Sequence, residues 1–107
     1  MKVKLNRQKL EAFNNLLTWL LVAYDCTNMA DKLLFEIVDV INDKLTIKLK
    51  KISRDNKVTS NVKLTNIEAK ALYVWYVQLA AIVGNGQYVY EKCIVDGIVR
   101  DIEQQYV

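Results

Sequence analysis

No proline interrupts the 107 residues, and glycine occurs at only three of them. Proline breaks helix interiors and glycine weakens them, so a chain with so little of either is free to form long helices. Hydrophobic residues make up 52% of the chain, enough to build a core. The length is that of one domain, spanning 1–107.

Helical spacing appears at once. Asn6 is a good N-cap, and after it Leu10, Phe13, Leu17, Leu20 and Tyr24 recur at spacings of three and four, predicting helix 1 over about 7–26. Leu16, Trp19 and Ala23 lie beside that stripe, so the helix is apolar over most of its girth. Thr27, Asn28 and Met29 read as a loop. Helix 2 is expected over about 30–42, with Leu34, Ile37, Val38 and Ile41 inside. Thr65-Asn-Ile-Glu68 is a capping box, in which each of the two side chains satisfies the other residue's free backbone amide. It opens helix 3 over about 66–83, with Ala69, Leu72, Tyr76, Leu79 and Val83 as its stripe. Gly84-Asn85-Gly86 ends that helix, and helix 4 follows over about 87–105 with Tyr90, Ile94, Ile98 and Ile102 on one face.

The stretch 44–64 reads two ways. Leu45, Leu49 and Ile52 would continue the stripe of helix 2, whereas Leu45, Ile47 and Leu49 alternate as in a strand. Asn42-Asp43 looks like a break, 54–57 looks like a turn, and 58–64 alternates again. The favoured reading is a small antiparallel β-hairpin at about 44–64, the alternative a longer helix 2 followed by a loop. Residues 2–5 alternate as well and could add a strand. The expected fold is therefore α+β and mostly helical, with four helices and one small hairpin.

The chain has no histidine, which removes the commonest general base and the commonest metal ligand. Cys26 and Cys93 lack CxxC spacing and cannot by themselves make a four-ligand zinc site; both are expected as free thiols. No glycine-rich phosphate loop is present. No catalytic, metal or cofactor site is expected, and the chain reads as non-enzymatic. Basic residues before the apolar run 16–24, with Cys26 after it, resemble a lipoprotein signal. Asp25 stands where a small residue should precede the cysteine, and the apolar run belongs to a helix stripe, so the protein is expected to be cytoplasmic. Neither that run nor 71–83 reaches the ~20 residues needed to span a bilayer, so no membrane partner is expected. The Lys, Asn and Ile usage points to an AT-rich genome, of the kind common in phages and mobile elements.

Two features bear on function. Residues 44–63 carry seven basic side chains against Asp55, while the whole chain nets only +3. Lys48, Lys50, Lys51, Arg54, Lys57 and Lys63 would form a basic wing able to touch nucleic-acid phosphates. A solvated strand face is the favoured reading, because the stretch holds no aromatic for base stacking and a single arginine. Glu36, Asp39 and Asp43 share a helix face, and solvation explains them better than a cation site does. The aromatics are in surplus: Tyr73, Trp75 and Tyr76 cannot all point one way from helix 3. Together with Trp19 they are expected to leave an exposed patch, the partner interface of a homo-oligomer or assembly subunit. Nucleic-acid binding through the basic hairpin is the second reading.

Overall fold

A computed structural model describes residues 1–24, 27–52, 54, 57–80 and 88–106. Among them the order of elements is β1 (Lys2–Asn6), α1 (Arg7–Ala23), α2 (Met29–Lys51), β2 (Thr59–Lys63), α3 (Asn66–Leu79) and α4 (Val89–Tyr106). The fold is α+β and mostly helical, with four helices and one two-stranded antiparallel sheet. No described helix is long and apolar enough to cross a membrane.

Three helices start on the caps the sequence supplies. Asn6 Oδ1 accepts from Lys9 N at 2.9 Å, and Asn28 Oδ1 accepts from Asp31 N at 2.8 Å. The box at α3 closes in both directions: Glu68 N donates to Thr65 Oγ1 at 3.1 Å, and Thr65 N donates to Glu68 Oε1 at 2.9 Å. The Gly84-Asn85-Gly86 terminator, Cys26 and the end expected for helix 3 lie outside the described residues.

The first strand of the expected hairpin is not there. Residues 44–51 continue α2, which runs for 23 residues. The helical stripe wins because α2 has partners on two sides: Val38, Ile41 and Leu45 are fully buried, while Ile47, which only a strand would bury, stays exposed. Lys48, Lys50 and Lys51 then fall in the last turn, where positive charge suits the helix dipole. Asn42 is not a break either. Its Nδ2 donates to Thr18 Oγ1 at 2.9 Å and its Oδ1 accepts from Asn14 Nδ2 at 2.8 Å, a polar ladder that fixes α2 against α1. The second strand survives as β2 and pairs with β1, in the register Val3↔Val62.

α2 and α4 each pack against both α1 and α3, and the sheet closes one end. Val3, Leu5, Val62 and Leu64 of the sheet region join Leu10, Phe13, Leu17 and Leu20 of α1 in a single core with Leu72, Trp75 and Tyr76 of α3 and Val95, Ile98 and Ile102 of α4. Most of the apolar surface of α1 and α3 is covered within the chain, while Val22 of α1 and Ile67, Val74 and Val77 of α3 stay exposed.

Candidate interaction surfaces

The four aromatics expected to form an exposed interface are dispersed. Trp75 and Tyr76 are core residues, 5% and 2% exposed. α3 is flanked by both α2 and α4, and that wide buried arc takes in adjacent positions that one contact face could not. Tyr76 Oη donates to Asp96 Oδ1 at 2.7 Å, and Lys92 Nζ holds the other carboxylate oxygen at 3.0 Å. Burial and the Asp96 charge raise the Tyr76 phenol well above its ordinary pKa. Tyr73 is half-buried beside Val74, Ile102 and Tyr106. Trp19 is half-buried against Tyr24, edge to face at 6.4 Å, and against Tyr88 at 5.0 Å. Tyr88 adopts a left-handed backbone (φ 59°) immediately before α4.

The apolar surplus lies elsewhere. Met29, Leu33, Val40 and Ile47 are all more than half exposed, and they fall four, seven and seven residues apart along α2. That spacing puts them on one face, opposite the buried Val38 and Leu45. The sequence reading stopped helix 2 at residue 42 and so missed this stripe. The seven-residue recurrence of Leu33, Val40 and Ile47 was its signal.

The basic residues are split among α2, the connection after it and β2. Lys48 is half-buried on α2; Lys50, Lys51, Arg54, Lys57 and Lys63 are exposed. Lys44, on the same helix, is engaged, with its Nζ 2.7 Å from both carboxylate oxygens of Glu68. Lys48 and Lys63 face each other across a groove of about 360 Å³ whose apolar lining is Ile47 and Val62. The solvent face of the sheet adds lysines that the sequence reading left out of the site. Lys2 and Lys4 are exposed there, Lys2 directly opposite Lys63 and Lys4 opposite Asn61. Their alternation with Val3 and Leu5 was visible, but their neighbour across the sheet was not.

Glu36, Asp39 and Asp43 are exposed on α2. Among the described residues no group of three or more Cys, Asp or Glu converges to hold a metal ion. Cys93 is a free, exposed thiol. In comparisons with known proteins the chain matches no family model, no curated relative and no solved structure.

Proposed function

We propose that this chain is a non-enzymatic protein–protein interaction protein, an assembly subunit that pairs with copies of itself through the outer face of α2. The exposed line Met29, Leu33, Val40 and Ile47 carries this reading: it runs the length of the longest described helix, with the exposed Glu36 and Asp43 set between its members. Charge along α2 favours a second copy laid antiparallel. Residues 29–43 hold four carboxylates and one lysine, while residues 44–51 hold four lysines and no carboxylate. An isologous pair would bring unlike ends together. Cytoplasmic residence and an origin in a phage or mobile element belong to the same proposal, supported by composition alone. Sedimentation at micromolar concentration should show a dimer or higher oligomer, and Val40→Glu with Ile47→Glu should yield a folded monomer. A wild-type monomer at high concentration would overturn the reading.

Nucleic-acid binding is the second reading, favoured by the joining of Lys2 and Lys4 to Lys63 on one sheet face. It requires DNA binding at low salt that weakens steeply as salt rises. Charge reversal at Lys2, Lys4 and Lys63 should abolish that binding.

A further inference from the structure

The register of the sheet determines which backbone groups are already paired. Leu64 N donates to Met1 O at 2.8 Å and Met1 N donates to Leu64 O at 2.9 Å, so these two residues form a hydrogen-bonded pair. Such pairs alternate with non-bonded ones along an antiparallel ladder. Val3·Val62 and Leu5·Ser60 are therefore bonded pairs, and Lys2·Lys63 and Lys4·Asn61 are not. The N–H and C=O of Lys2 and of Lys4 point away from β2, toward α4. None of these four groups has a hydrogen-bond partner among the described residues.

Along that edge lies a groove of about 480 Å³, with β1 as one wall and Cys93, Ile94, Gly97 and Arg100 of α4 in the other. Glycine is unfavourable inside a helix, and Gly97 does not serve close packing, because a Cβ placed there meets nothing within 4 Å. Its effect is to leave the groove wall open. Lys2, Lys4, Lys9 and Arg100 line the groove against the single carboxylate of Asp101.

We propose that the free edge of β1 accepts an extended acidic segment of a partner protein as a third strand. The open N–H and C=O groups supply the ladder, as in strand addition to an exposed sheet edge. Lys2 and Lys4 lie on the solvent face while Val3 and Leu5 face the core. A docked strand would thus place carboxylates at alternate positions beside the lysines and an apolar residue between them, toward Ile94 and Ile98. A second copy of β1 is a poorer occupant than an acidic strand, since its lysines would add to the Lys2–Lys63 pair that already face each other across the sheet. The proposal rests on the reading of this chain as an interaction protein, but the groove shares no residue with the α2 stripe.

The probe is a labelled ten-residue peptide with Glu at alternate positions and Val between, titrated into the full chain and followed by fluorescence polarisation. Binding is expected to weaken about tenfold or more in Lys2→Glu/Lys4→Glu, in Gly97→Leu, and when alternate peptide amides are N-methylated. Gly97→Ala should bind like wild type, and thermal melts should show that each variant is folded. Bound peptide should slow alkylation of Cys93, read at that residue by mass spectrometry. Val40→Glu should leave peptide affinity unchanged whatever it does to the oligomer, which separates this proposal from self-pairing through α2. Absence of binding, or binding indifferent to N-methylation, overturns the proposal. So does a twenty-nucleotide single strand that binds more tightly than the peptide and depends on the same lysines.

Discussion

Replacing Glu68 by alanine removes a carboxylate that ties two helices together. Its oxygens accept from Lys44 Nζ of α2, 2.7 Å from each, and one of them also accepts from Thr65 N at the cap of α3. Hydrogen bonds to a charged group contribute about 1.5–3 kcal/mol. Lys44 is 42% exposed, so water replaces part of what it loses and the ion pair is discounted accordingly. The reverse bond of the box, Glu68 N to Thr65 Oγ1, does not need the removed side chain. The net cost is about 2 kcal/mol, which lowers Tm by roughly 10 °C in a domain of this size. Burial alone would raise the Glu68 carboxyl above its ordinary 4.5, but Lys44 and Thr65 outweigh it and hold the pKa below that value. The unfolded chain therefore takes up this proton first as pH falls. The stabilisation is fully present above pH 4.5 and is lost as pH drops through the depressed folded value. Urea denaturation of wild type and Glu68→Ala at pH 7 and at pH 3 measures both effects. A gap under about 0.5 kcal/mol at pH 7, or a gap of equal size at pH 3, would refute the assignment of Glu68 as the charged tie between α2 and α3.

Trp75→Ala should cost about 3–5 kcal/mol of stability by leaving a cavity in the core, measured by chemical denaturation; an unchanged midpoint with a shifted oligomer would restore Trp75 to an interface. Tyr76→Phe should cost about 1–2 kcal/mol by stranding Asp96 with Lys92 alone. Because the phenol is raised in the folded state, wild type should lose stability as pH climbs above about 10 while the Phe variant lacks that loss, and parallel curves at alkaline pH would contradict the Tyr76–Asp96 bond.

The caps at Asn6 and Thr65 and the helix stripes were legible because they are local. Thr65 and Glu68 stand three residues apart, and Leu10 to Leu20 display their period without reference to any partner. The stretch 44–51 was misjudged because its two patterns are equally good locally. What decides between them is whether the strand at 59–63 pairs with its own neighbour or with residues 2–6, and no window of sequence contains both. The expected exposure of Trp75 and Tyr76 failed for a related reason. The arc of α3 that is covered depends on how many helices flank it, and with two flanking helices both Trp75 and Tyr76 turn inward. The exposed residues of α3 include Ile67, Val74 and Val77, none of them aromatic. Lys63 is exposed, but its companions Lys2 and Lys4 come from the far end of the sequence.

The pairing of Val3 with Val62 joins positions 59 residues apart. Bringing such distant positions together in an unordered chain costs roughly 3–4 kcal/mol in closure entropy, which two five-residue strands repay poorly. α1 and α2, by contrast, are neighbours along the chain and meet at little such cost. Once they have docked, the distance between the strands shrinks and most of the closure penalty has already been met. The sheet is therefore a late clasp in folding: the first strand made must wait, unpaired, until both helices and the second strand have emerged. Any delay in docking α2 on α1, such as loss of the Asn14–Asn42–Thr18 ladder, prolongs the interval in which that lysine-bearing strand is open on both edges.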